Sequence, residues 1–252
     1  MIHFVGAGSG APDLITVRGQ KYLQEADVII YAGSLVNPEL LEQKKEGCQV
    51  YNSAYMTLEE VIDVMKTAEA DGKMTVRLHT GDPCIYGAIR EQMDILDELH
   101  IAYDTCPGVS AFCGAASALN LEYTLPDVSQ SVIITRMAGR TPVPDKESIR
   151  SFAAHQATMV VFLSTGLLEE LSKELIAGGY NADTPAAIVY KATWKDEQKF
   201  ICTVGTLAQT AKENNITKTA LMIIGDVVTH SEYERSELYN PAFTTEFREA
   251  SV

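Results

Sequence analysis

The sequence predicts an α/β protein of two domains, the first built on a mostly parallel sheet and the second on a mixed one. Three observations lead there. Short apolar runs alternate with amphipathic stretches through the first half of the chain, the signature of βαβ units carrying a parallel sheet. A polar, proline-bearing stretch at residues 125–130 then breaks the pattern, as linkers do. Beyond it the apolar runs resume at uneven spacing, which suits a mixed sheet better than a purely parallel one.

Five strands are predicted before the break, at residues 2–5, 28–31, 48–51, 75–78 and 102–106. Between them, apolar residues recurring at three and four positions predict helices at 16–25, 37–45, 57–70, 85–99 and 109–119. Thr57 with Glu60 makes a capping box for the third of these. After the break come strands at 132–135, 159–163, 186–190, 199–203 and 220–225, with helices at 146–153, 167–177 and 207–214. The expected domains are therefore residues 1–122 and 128–228, and residues 229–252, which lose periodicity, read as a loosely held tail.

Composition bounds the function. Twenty Lys and Arg against 34 Asp and Glu leave a formal charge of −14, which argues against a nucleic-acid partner, since phosphate contacts need clustered cations. At 252 residues, with 46% hydrophobic and 21% charged, the chain is long enough for one large domain or two small ones. No run approaches the roughly 20 apolar residues needed to cross a bilayer, and the first ten residues lack the order of a signal peptide; a soluble, cytoplasmic protein is expected. Five cysteines, Cys48, Cys84, Cys106, Cys113 and Cys202, with no C-x-x-C pair, argue against a disulfide framework or structural zinc. Most are expected to be small buried hydrophobes. No histidine pair has metal spacing, so no metal site is expected.

In an open parallel sheet ligands bind outside the carboxyl ends of the strands, and the segments there are rich in glycine. They read Gly6-Ala7-Gly8-Ser9-Gly10, Ala32-Gly33-Ser34, Thr80-Gly81-Asp82-Pro83 and Pro107-Gly108-Val109-Ser110-Ala111. Together they point to a pocket lined by backbone. The first resembles a dinucleotide fingerprint, but the acid expected after the second strand is replaced by Ala32-Gly33-Ser34, and a nicotinamide oxidoreductase becomes a remote reading. None of the four loops holds Lys or Arg, so the ligand should carry little net negative charge.

Asp82 reads equally as an Asx turn or helix cap and as an acceptor for a cationic ligand. His79, at a strand end, reads as a packed residue. Arg136 and Arg140 flank Met137-Ala138-Gly139, and Lys191 and Lys195 bracket Ala192-Thr193-Trp194. In so acidic a chain, these two concentrations of cations are candidates to hold carboxylates of an anionic substrate.

Taken in order, the segment from Val5 to Thr16, Thr80-Gly81-Asp82-Pro83 with Ile85-Tyr86-Gly87, Pro107-Gly108-Val109-Ser110-Ala111 and Val161-Phe162-Leu163-Ser164 resemble the tetrapyrrole (uroporphyrin/precorrin) methylase family over residues 1 to about 228. Three further segments narrow the likeness to members that methylate C11 of a precorrin: residues 31–36, residues 135–144 and residues 189–197. The family's usual Gly-Pro-Gly-Asp-Pro is here Gly8-Ser9-Gly10-Ala11-Pro12.

The resemblance implies two α/β domains with S-adenosylmethionine, released as S-adenosylhomocysteine, in the cleft between them. It implies cofactor contacts from Thr80, Gly81, Asp82, Ile85, Tyr86, Ser110 and Ala111, and from Leu163, Tyr190, Ala192, Ala220 and Leu221. The substrate set is Ser9, Ser34, Arg136, Arg140, Lys191 and Lys195, acting on a tetrapyrrole, and relatives are typically homodimers. Attack on an already activated sulfonium methyl needs alignment and water exclusion rather than a nucleophilic side chain, and the sequence shows no triad or nucleophile elbow. Two readings stay open beside it: another acceptor within the family, such as a different precorrin, diphthamide or ribosomal RNA, the last disfavoured by the −14 charge, and, because no proton acceptor can be assigned, a non-catalytic nucleotide-binding or assembly module.

Overall fold

The computed structural model describes residues 1–229 and 233–251, with the side chain of Ser34 outside the described set. The chain forms two compact units. One comprises Met1–Ala115 with Lys191–Glu197, the other Ala116–Tyr190 with Gln198–Val252.

In the first unit the elements follow as β1 (Ile2–Gly6), α1 (Val17–Glu25), β2 (Val28–Tyr31), β3 (Gln49–Asn52), α2 (Leu58–Ala70), β4 (Thr75–His79), α3 (Arg90–Glu98), β5 (Tyr103–Cys106) and α4 (Ala111–Leu119), the last running across the boundary. The strands pair in the order β3-β2-β4-β1-β5, all parallel. β1 and β4 are buried along their whole length, as continuous apolar strands covered on both faces must be. Because side chains alternate, Val5, Ile29, Val76 and Leu78 pack with Leu23 of α1, while Ile2, Phe4, Val28 and Ile30 pack with Val61, Ile62 and Met65 of α2 and Met93 and Leu96 of α3. The capping box forms as expected: Glu60 N–H donates to Thr57 Oγ1 at 3.3 Å, and Thr57 N–H to Glu60 Oε2 at 2.7 Å.

The second unit contains β6 (Val132–Arg136), α5 (Ile149–Ala153), β7 (Thr158–Phe162), α6 (Leu168–Gly178), β8 (Pro185–Tyr190), β9 (Gln198–Thr203), α7 (Leu207–Glu213) and β10 (Ala220–Ile224). Its sheet runs β6-β7-β10-β8-β9, with β6 and β7 parallel and the remaining pairs antiparallel. Met159, Val161, Ile188, Met222 and Ile224 face Leu171, Leu175 and Leu207. The pairing sends β6, β7 and β8 one way and β10 the other, so the carboxyl ends of the first three share an edge with the start of β10.

Several expectations are corrected. Residues 37–45 form only a 3-10 turn, Pro38–Gln43, capped by Asn37. The helix expected from residue 85 starts at Arg90, because Tyr86 (φ 57°) and Ala88 (φ 48°) are left-handed and cannot belong to a right-handed helix. The helix expected at 146–153 divides at Ser148, whose extended backbone ends the turn Asp145–Glu147 and whose side chain accepts from Ser151 N–H to start α5. All five cysteines are free as expected, but only Cys106 is buried, while Cys84 and Cys113 are exposed. Cys84 lies in the loop between β4 and α3, and Cys113 lies on α4, whose buried residues are Gly114 and Ala115. Of the expected tail, residues 230–232 and 252 lie outside the described residues. In the remainder, Arg248 donates to the carbonyls of Leu238, Asn240 and Phe243. No helix among the described residues is long and apolar enough to cross a membrane.

Candidate active site

All five strands of the first sheet point their carboxyl ends to one edge, and the loops following β1, β4 and β5 interlock there. Gly8 and Gly81 form a two-way bridge, each N–H donating to the other's carbonyl at 3.2 and 2.9 Å. Ala7 N–H donates to His79 O at 2.7 Å. A Cβ at Gly6 would stand 2.6 Å from both Gly108 Cα and Gly81 O, and one at Gly108 would stand 2.2 Å from Gly81 O. Three strand ends therefore approach at backbone contact distance, which only glycine permits. Gly81 also packs beside Ser110 and Ala111, so Thr80, Gly81, Asp82, Ser110 and Ala111 are brought together within this unit.

Asp82 ties the knot. Its Oδ1 accepts from Cys84 N–H at 2.8 Å and its Oδ2 from Gly108 N–H at 2.9 Å. Partial burial pushes its carboxyl upward, yet the bonds from Cys84 and Gly108 outweigh that and hold it below the usual carboxylate range. It is thus an Asx turn and a loop-to-loop clasp. The Thr80 hydroxyl beside it is buried with no hydrogen-bond partner among the described residues.

The first loop is clamped from two sides by residues that sequence reasoning missed. Asn37 Nδ2 donates to Gly10 O at 2.9 Å in a buried bond. From the segment between β8 and β9, Thr193 Oγ1 accepts from Ala11 N–H at 3.0 Å and lies 3.0 Å from Ser9 Oγ. The indole of Trp194 covers Gly10, where a Cβ would stand 2.2 Å from Trp194 Cδ1. The Thr193 contacts join residues 182 or more apart in sequence and the Asn37 contact residues 27 apart, and no local pattern announces them.

Within the second unit, the shared sheet edge gathers Arg136 at the end of β6 and Met137 after it, Leu163 after β7, Tyr190 at the end of β8, and Ala220 and Leu221 at the start of β10. Ser164 Oγ accepts from Met137 N–H at 2.9 Å and donates to Phe162 O at 2.7 Å. Thr165 Oγ1 donates to Ala220 O at 3.2 Å. Leu163 is exposed and left-handed (φ 52°), a strained conformation of the kind that concentrates at ligand sites. A cavity of about 270 Å³, lined by Thr158, Tyr180, Pro185 and Gly225 among others, lies at the opposite edge and takes no part in this arrangement.

The four expected cations are differently placed. Arg136 spends its guanidinium on the carbonyls of Met137, Thr141 and Pro142. Lys191 pairs with Asp196 at 2.6 Å and lies 5.4 Å from the centroid of the Trp194 ring. Lys195 pairs with Glu39. Arg140 is exposed and has no ion-pair partner among the described residues. His79 is packed against Phe4 with Nε2 unpartnered, and burial together with the neighbouring Arg77 pushes its pKa down to about 3. Arg77 is itself buried, donating to Gln92 Oε1 and Ile30 O, and burial lowers its pKa to about 10. Among the described residues no group of three His, Cys, Asp or Glu could hold a metal.

One α/β unit carries a strand edge knotted by glycine, whose loops after β1, β4 and β5 hold no Lys or Arg, and the other carries an edge tied by the Ser164 and Thr165 hydroxyls. The chain belongs to the tetrapyrrole (corrin/porphyrin) methylase family, whose model matches residues 1–208. It is 52% identical over 246 residues to a cobalt-precorrin-4 C(11)-methyltransferase of Methanocaldococcus jannaschii, covering 98% of this chain and 95% of the relative. It is 41% identical over 238 residues to a precorrin-4 C(11)-methyltransferase of Pseudomonas aeruginosa, covering 94% of each. Among solved structures, a cobalt precorrin-4 methyltransferase of cobalamin biosynthesis matches with a TM-score of 0.88 at 45% identity, over 90% of this chain and 95% of that one.

Proposed function

We propose that this chain transfers the methyl group of S-adenosylmethionine to C11 of precorrin-4 or its cobalt-containing counterpart, in cobalamin biosynthesis. The observation that carries the reading is the 52% identity, maintained along nearly the whole of both chains, to a relative named for that reaction. The proposal includes a soluble, cytoplasmic homodimer.

The residues fit the methyl donor. In the first unit, Thr80, Gly81, Asp82, Ile85, Tyr86, Ser110 and Ala111 offer backbone, apolar surface and the unpartnered Thr80 hydroxyl, with no Lys or Arg in the loops to oppose a cationic sulfur. Ala192 is proposed as a further contact, with Leu163, Tyr190, Ala220 and Leu221 from the second unit. When bound, the donor supplies a methyl group on positive sulfur, activated for displacement. What remains for the protein is to orient both reactants and exclude water. The Gly8–Gly81 bridge and the Asp82 clasp supply that rigidity, since loops held by backbone bonds need no reorganisation when ligand arrives. Titration calorimetry with S-adenosylhomocysteine is expected to give micromolar binding, and absence of heat at millimolar ligand would overturn the reading.

For the substrate carboxylates, Arg140 is the proposed principal contact, and Ser9, Ser34, Arg136, Lys191 and Lys195 are further proposed contacts. Arg136 already organises its own turn and both lysines are paired, so among the described residues Arg140 is the one of the four with neither an ion pair nor a carbonyl cage. A charge-assisted bond is worth about 1.5–3 kcal/mol, less at an exposed site, so Arg140→Ala is expected to raise KM for the tetrapyrrole about tenfold with kcat nearly unchanged. An unaltered KM removes Arg140 from the site.

A further inference from the structure

The segment Lys191–Glu197 leaves β8 and returns to β9 of the second sheet, yet it packs with the first unit. Its backbone is strained at two alternate positions, Lys191 (φ 46°) and Thr193 (φ 67°). Left-handed backbone is unfavourable for any residue with a Cβ, and a β-branched one is a true outlier there. Such strain persists only where the surroundings over-determine it. They do so here. Thr193 N–H donates to Glu197 Oε2 at 2.6 Å, Trp194 N–H to Lys191 O at 3.0 Å and Glu197 N–H to Trp194 O at 3.1 Å. The Thr193 side chain meets Ser9 and Ala11 through its hydroxyl and lies near Gly114 through its methyl, and the indole seats on Gly10.

The hydroxyl pair leaves a donor over. Thr193 Oγ1 takes the proton of Ala11 N–H on one lone pair and shares a single hydrogen bond with Ser9 Oγ. Two hydroxyl protons therefore serve one bond, and among the described residues no other acceptor takes the second. Ser9 is only 5% exposed, and a buried donor is costly to leave without an acceptor. If Thr193 donates to Ser9, the Ser9 proton is the one left to point outward.

We propose that Lys191–Glu197 is a positioning strap for the first glycine loop, in which Thr193 turns the Ser9 hydroxyl proton toward an acceptor oxygen of the bound substrate. This rests on the reading under Proposed function, with Thr193 and Trp194 as positioning residues and Ser9 as the contact.

Trp194 is the only tryptophan in the chain, so fluorescence reads the strap directly. Thr193→Val keeps the shape but removes the hydroxyl, whereas Thr193→Ser keeps the hydroxyl. In the full chain, Thr193→Val is expected to raise acrylamide quenching of Trp194 at least twofold, and to raise KM for cobalt-precorrin-4 about tenfold with binding of S-adenosylhomocysteine within twofold. Thr193→Ser is expected to restore both readouts. Quenching unchanged in Thr193→Val overturns the strap, and an unchanged KM, or a Ser variant that behaves like the Val variant, overturns the orientation of Ser9. If the unaltered chain transfers no methyl group, the reading of its reaction and the Ser9 orientation built on it both fail, while the quenching comparison, which needs no turnover, still decides the strap.

Discussion

Gly108→Ala is expected to lower the melting temperature by about 6–12 °C and to abolish binding of S-adenosylhomocysteine. Its backbone is not left-handed, so the cost is one of contact: the new Cβ would lie 2.2 Å from Gly81 O and 2.7 Å from Gly6 Cα. Both are backbone atoms in the middle of strand ends, and neither can swing aside as a side chain can. Relief requires the loops after β1, β4 and β5 to move apart, which would loosen the bond from Gly108 N–H to Asp82 and the Gly8–Gly81 bridge together. Overpacking of this kind costs about 3 kcal/mol, and in a chain of this size each kcal/mol moves the midpoint by about 2–4 °C. Gly166→Ala, where nothing lies within 4 Å of the added carbon, is the control and should melt within about 1 °C of the parent. Equal melting of the two variants would show that the glycine knot does not carry the architecture of this edge.

The second large effect is on acid stability, through His79. Its folded pKa of about 3 lies below the ordinary histidine value of about 6.5. Between those limits the unfolded chain takes up a proton that the folded chain refuses. The folded state therefore loses stability as pH falls from about 6.5, at up to about 1.4 kcal/mol per pH unit, reaching about 3 kcal/mol by pH 4. Above about 6.5 this contribution is flat. His79→Leu replaces the ring by an apolar group of similar size and leaves no partner of Nε2 stranded, since it has none. Urea unfolding of the two proteins between pH 4 and 8 is expected to show parental stability falling relative to the variant below pH 6.5. Parallel curves would mean that the ring is protonated or solvated in the folded state.

Much of the fold was legible because the signals were local. Alternating apolar runs marked the ten strands to within about a residue, and the uneven spacing after the break anticipated the mixed second sheet. The helix starting at Arg90 instead of residue 85 was not legible, because apolar periodicity continues through Ile85 and Ile89 while the two left-handed residues, Tyr86 and Ala88, are not glycines themselves, although Gly87 stands between them. The glycine loops could be read as sites because glycine states its own reason: close approach of backbone. The clamp on the first loop could not. Asn37, Thr193 and Trp194 act across long sequence separations, and a lone Thr or Asn carries no mark of the partner it will meet. The cations were visible as residues but not as charges in use, since the pairing of Lys191 with Asp196 and of Lys195 with Glu39 arises only on folding.

The net charge of −14 bears on function through placement. The loops at the first sheet's edge hold no Lys or Arg, and exposed acidic residues elsewhere are screened beyond about 10 Å at 0.1 M salt. The central claim is methyl transfer to C11, and the direct test is to incubate the chain with cobalt-precorrin-4 and S-adenosylmethionine carrying a ¹³C methyl group, then to locate the label by NMR. One labelled methyl on C11, with release of S-adenosylhomocysteine, is the expected result. A label on another carbon, or none on any carbon when the donor is shown to bind, would contradict it.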